Sequence, residues 1–116
     1  MRLTGLARRY AGALFEAAKG LNAVDNVESD LGMVTYSLDE TPQLGETLTH
    51  PLIPADRKKQ IISSIFKGKV QDVTLDFLFL LVDKRREEII PDVESEYVSL
   101  ANQYRKIVTV AVTSAV

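Results

Sequence analysis

Few residues in this 116-residue chain are of a type that could carry chemistry. The single histidine, His50, stands beside Pro51 in a connector, and no His, Asp or Glu cluster shares a face with it. There is no cysteine, which removes disulfides, thiolate nucleophiles and Cys-based zinc sites together. No Gly-rich phosphate loop and no Gly-Lys-Ser or Gly-Lys-Thr string occurs, so nucleotide binding is not indicated. Carboxylates such as Glu87 and Glu88, or Asp92, Glu94 and Glu96, stand where helices start. There the helix dipole favours negative charge, so capping and solvation account for them. The chain therefore offers no catalytic, cofactor-binding or metal-ligating set, and an enzyme is the weakest functional class for it.

Two basic runs, Arg57-Lys58-Lys59 and Lys84-Arg85-Arg86, are the next candidates. Acids flank both: Asp56 before the first, and Asp83, Glu87 and Glu88 around the second. The formal net charge is −2, so no global electrostatic case for nucleic acid exists. A solvated face, with favourable charge at a helix C-terminus, explains the runs. Contact with an acidic partner or a lipid surface is a minor alternative.

A surplus of apolar helical surface is the most informative signal. Phe77, Leu78, Phe79, Leu80, Leu81 and Val82 form an unbroken apolar run. A helix packed on one side shows a stripe, so a helix apolar all round must be covered on several sides. The run is far shorter than the ~20 residues a bilayer crossing needs. The first helix has a similar surplus. Leu6, Tyr10, Ala13, Leu14 and Ala17 make one stripe, and Ala7, Ala11, Phe15 and Ala18 an adjoining one. A central helix pair in a bundle would explain this. So would a groove between the two helices that accepts an amphipathic helix from another protein. Tyr10, with a flat apolar body and a polar tip, suits such a groove.

The elements that must position these surfaces follow from periodicity and punctuation. Thr4 is an expected N-cap, the first helix covers Leu6 to Lys19, and Gly20 is its expected terminator. Val24, Val27, Leu31, Val34 and Leu38 define a second helix, with Asp25, Glu28 and Asp30 near its start and a costly Gly32 inside. Thr41-Pro42 ends it, and Gln43–Thr49 is a short third helix. His50–Pro54 is a rigid connector. A fourth helix opens at Pro54 or Ala55, with Ile61, Ile62, Ile65 and Phe66 inward, Asp56 to Gln60 toward water, and Gly68 as its stop. Asp72 or Thr74 is expected to cap the central apolar helix, which ends near Arg86. Pro91 falls in the first turn of a sixth helix, whose inner face is Val93, Tyr97, Leu100, Ala101 and Tyr104. From Ile107 to Thr113 the residues are mostly β-branched and strand-like. The expected fold is all-α, a six-helix bundle over 1–105. Residues 106–116 form a strand-like tail that leads to a second domain absent from this chain. The N-terminus carries arginines but also Glu16 and no cleavable stretch. An intracellular chain without its own membrane anchor is therefore expected.

Four segments, in order and spacing, resemble the delta subunit of F-type ATP synthase, the family of the oligomycin-sensitivity-conferring protein. They are Ala7–Ala18 (ARRYAGALFEAA), Leu48–Pro54 followed by Lys59, Phe77–Asp83 with Arg86, and Val112-Thr113-Ser114-Ala115. The last is similar to the crossover into the family's C-terminal domain, so the chain resembles an N-terminal domain fragment. Lys84-Arg85 stand where family members often carry Asn-Gly.

The resemblance implies a non-catalytic stator role without cofactors. The domain would sit on the catalytic head and bind the N-terminal helix of an alpha subunit. The b subunits of the peripheral stalk would meet the absent C-terminal part. Carried over, the partner-binding walls are Leu6, Tyr10, Ala13, Leu14 and Ala17 on the first helix, and Val73, Phe77, Leu80 and Lys84 on the fifth. Phe15, Leu78 and Leu81 are assigned to the core. The implied location is peripheral, on the cytoplasmic face of a bacterial inner membrane, or the stromal or matrix side in an organelle. The alternatives are a generic helical adaptor using the same groove for another partner and, more distantly, a helical nucleic-acid-binding domain using the basic runs.

Overall fold

The computed structural model describes the backbone of residues 4–115 and the side chains of residues 5–107. Six helices follow one another: α1 (Thr4–Gly20), α2 (Val24–Glu40), α3 (Pro42–Thr49), α4 (Ala55–Phe66), α5 (Asp72–Asp83) and α6 (Ile90–Ala115). A short 3₁₀ turn, Glu87–Ile89, joins the last two. Among the described residues there is no strand, only an isolated bridge between Lys67 and Val70. No described helix is long and apolar enough to cross a membrane.

α6 is the spine, with α1 and α2 packed along it. Alanine at Ala7, Ala11, Ala18 and Ala101, all buried, leaves room for close approach of helix backbones. Phe15 fills the space between two tyrosines of α6, its ring edge-on to Tyr97 at 5.9 Å and to Tyr104 at 5.6 Å between centroids. Such edge-to-face pairs add to the burial energy of the rings. Ile62 and Phe66 of α4, Leu78, Leu81 and Val82 of α5, and Val27, Leu31 and Val34 of α2 complete one continuous core.

Several local expectations need correction. Gly20 is the last residue of α1, not its terminator. The chain turns at Asn22, whose φ of 56° is left-handed, and the Ala23 N–H donates to the Ala18 carbonyl at 2.8 Å. Neither Asp72 nor Thr74 caps α5. Gln71 is the cap residue, and its backbone N–H donates to Asp30 Oδ2 of α2 at 2.8 Å. Asp30, expected to serve its own helix, is thus buried and serves another. Lys58, expected to face water, is also buried, with Nζ donating to Glu87 Oε2 at 3.0 Å.

The expected strand-like tail is helical, because α6 runs on to Ala115. Strand preference of β-branched residues depends on a neighbouring strand to pair with. Extending an existing helix adds a hydrogen bond per residue with no new nucleus.

Candidate functional site

α1 and α5 lie side by side, and the Tyr10 and Phe77 rings meet edge-to-face at 6.4 Å. Around this pair the proposed walls divide by exposure. Leu6, Tyr10 and Val73 are half-buried, Ala13, Ala17 and Lys84 are exposed, and Leu80 is 40% exposed. Leu14 and Phe77 are 3% and 6% exposed, so they belong to the core beneath the strip and not to its open surface. Phe15, Leu78 and Leu81 are core, as expected.

The sequence builds this strip simply. On α1 the spacing of Leu6, Tyr10, Ala13 and Ala17 keeps all four on one face, beside the alanine stripe that packs inward. On α5 the run Val73, Phe77, Leu80 and Lys84 does the same. α5 is apolar almost all round because α4, α1 and α2 all pack against it. Its exposed side carries Leu80 with Asp76 one turn before it. The result is a partly open face of small and apolar residues, flanked by a cation at the C-terminal end of α5.

α5 is held firmly at both ends. At its start, Asp30 Oδ2 accepts from the Gln71 N–H and from the Thr74 hydroxyl, each at 2.8 Å. At its end, Lys59 Nζ pairs with Asp83 at 2.7 Å and stands 6.0 Å from the centroid of the Phe79 ring. Beyond Asp83 the chain closes with a left-handed Arg85 (φ 56°). The Arg86 N–H donates to Leu81 O and the Arg85 N–H to Val82 O. Sequence reasoning missed Asp30, Lys58 and Glu87. It also treated Arg85 as one cation of a run, although a helix ending there without glycine was a visible signal.

Two hollows lie on other faces. One of about 510 Å³ is lined by Tyr36, Leu44, Ile61 and Ile65, between α2, α3 and α4. Another, about 420 Å³, lies where Lys19, Asn22, Tyr104 and Arg105 meet the start of α2. Among the described residues no group of three or more His, Asp or Glu is placed to hold a metal ion.

A family model described as "ATP synthase delta (OSCP) subunit" matches residues 6–116. The chain belongs to the ATP synthase delta (OSCP) family. It is 41% identical over 111 residues to ATP synthase subunit delta of Desulforamulus reducens, covering 96% of this chain and 61% of that relative. It is 40% identical over 105 residues to the Bacillus licheniformis subunit, covering 90% of this chain and 56% of the relative. The chain thus spans about three-fifths of the length of these delta subunits. A chain in the Polytomella F-ATP synthase structure, rotary substate 2C, has the same fold. Its TM-score is 0.77 at 24% identity, over 89% of this chain and 93% of that one.

Proposed function

We propose that this domain is a static joint of the ATP synthase peripheral stalk, non-catalytic itself, which seats the N-terminal helix of an alpha subunit on the α1–α5 strip. The observation that carries the reading is the strip's composition. Tyr10 stands edge-on to a buried Phe77, next to exposed Ala13 and Ala17 and a partly open Leu80. Small residues let a guest helix come close, and the tyrosine supplies a flat anchor with a polar tip. Rotary catalysis puts torque on the catalytic head, and a stator must keep the head from turning with the rotor. Such a joint needs affinity and a slow off-rate, not bond chemistry.

Burying an amphipathic helix gains roughly 25 cal/mol per Å² of apolar area. Ordering a tail that is flexible when free subtracts from this. Contact with b subunits belongs, on this reading, to the part of the delta subunit beyond the length spanned here. The whole assembly would be peripheral to its membrane.

The test is calorimetric titration of the domain with an alpha-subunit N-terminal peptide. Binding with a gain of peptide helicity is expected. Tyr10→Ala and Leu80→Ala should each weaken it about tenfold, as anchor residues do. The far-ultraviolet circular dichroism of the free domain should hold, because neither side chain is fully buried. Absence of binding at high micromolar peptide would overturn the proposal.

A further inference from the structure

The two basic runs are 27 positions apart in sequence at their starts, Arg57 and Lys84, yet the fold brings them together. The Lys58–Glu87 pair at 3.0 Å ties the first turn of α4 to the 3₁₀ turn, and the Lys59–Asp83 pair at 2.7 Å ties it to the last turn of α5. These two pairs neutralise one cation and one carboxylate each. Arg57, Lys84, Arg85 and Arg86 remain, all exposed and, among the described residues, without an ion-pair partner. Within the two segments, Asp56 and Glu88 are the exposed carboxylates that have no ion-pair partner among the described residues. This end of the bundle is cationic although the chain as a whole is acidic.

The dipole of α5 favours cations at its C-terminus and so accounts for some of this charge. It does not account for the backbone. Arg85 occupies the left-handed position of the helix terminus at φ 56°, a conformation glycine takes without penalty and arginine does not. A strained residue kept at an exposed turn points to a use for its side chain. The patch also continues the proposed strip, since the partly open Leu80 lies one turn before Lys84 on α5.

We infer that Lys84, Arg85 and Arg86, with Arg57 beside them, form a cationic clamp for carboxylates on the helix seated on the α1–α5 strip. The clamp fixes which way the guest helix points and speeds its capture. This rests on the proposed function above and adds to it the chemistry of the partner, an amphipathic helix with acidic residues at one end. Long-range attraction between such charges raises association rates and fixes register more than it deepens affinity.

The experiment titrates the domain with the alpha-subunit N-terminal peptide at low and high salt. Arg85→Gly and a peptide with its carboxylates replaced by amides complete a cycle. Arg85→Gly is expected to raise the Tm by a few degrees, by releasing the strained turn. The same change should weaken binding at low salt by roughly threefold, with the difference closing as salt screens the exposed charges. The amide peptide should bind Arg85→Gly and the parent domain alike. A structural role alone would move the Tm without touching the salt dependence. Binding that is tight but indifferent to salt and to the amide change would overturn the clamp and leave the strip intact. No binding at any salt would overturn the strip itself. If phosphatidylglycerol vesicles bind the domain through Arg85 while the peptide is unaffected by Arg85→Gly, the patch belongs to lipid and the clamp falls.

Discussion

Lys58 and Glu87 set the clearest problem at the level of single residues. Both side chains are 5% exposed and meet at 3.0 Å, 29 positions apart. Removing one partner would leave an uncompensated charge in the interior, a loss of about 3–5 kcal/mol. Replacing both with apolar groups of similar size removes the desolvation penalty along with the attraction. Lys58→Met alone should therefore lower the urea midpoint sharply, and Lys58→Met with Glu87→Leu should recover most of the loss. If the double variant is as unstable as the single, the pair contributes through specific geometry and not through charge balance. None of this was legible in the sequence, where Lys58 sits in a run of polar residues and Glu87 next to another acid. The same holds for Asp30. A carboxylate near the start of its own helix looks locally satisfied, and nothing nearby announces that it caps a helix 41 positions on.

The helices themselves were legible where periodicity and punctuation agreed. Thr41-Pro42 and His50–Pro54 divide α2, α3 and α4 as the proline rules require. The ends of α5 and α6 were not, because each depends on something outside the helix. α5 stops at Asp83 and hands over to the 3₁₀ turn, while the β-branched residues after Ile107 continue a helix already 18 residues long. The two-sided apolar character of α1 and α5 marked helices that pack on more than one neighbour, although the spine of the bundle is α6. It could not say which of their residues stay open, and Leu14 and Phe77 proved closed. Gly32 offers a test of helix economy in α2. A Cβ added there would meet only Glu94 Oε2, at 3.6 Å, which is ordinary contact. Gly32→Ala should then stabilise the fold by up to about 1 kcal/mol, from helix propensity alone. Thermal melts should show a gain of a few degrees with the peptide affinity unchanged, since Gly32 lies on α2, away from the α1–α5 strip.

For the whole molecule, Tyr97 is the residue on which three helices converge. It is fully buried on α6, its ring meets Phe15 of α1, and its hydroxyl donates to the Val24 carbonyl at the start of α2 at 2.7 Å. Burial holds its phenol above the ordinary value of 10. Glu28 and Asp25 push the same way, the Arg105 guanidinium opposes them, and Asp30 adds a smaller push upward. The sign of the linkage follows. The folded state retains the phenolic proton more strongly than the unfolded chain does, so the stabilisation is complete below the unfolded pKa. It is lost as pH rises above about 10, where the unfolded chain releases that proton and the folded one does not. The domain should melt at a nearly constant temperature through neutral pH as far as this group is concerned, then lose stability on the alkaline side. Tyr97→Phe separates the two contributions. At neutral pH it should cost about 1 kcal/mol for the lost hydrogen bond to Val24. Above pH 10 the gap between variant and parent should narrow, because phenylalanine has no proton to lose. A gap that stays constant across the alkaline range would show that the phenol titrates alike in the folded and the unfolded chain, and would overturn the linkage while leaving the hydrogen bond in place.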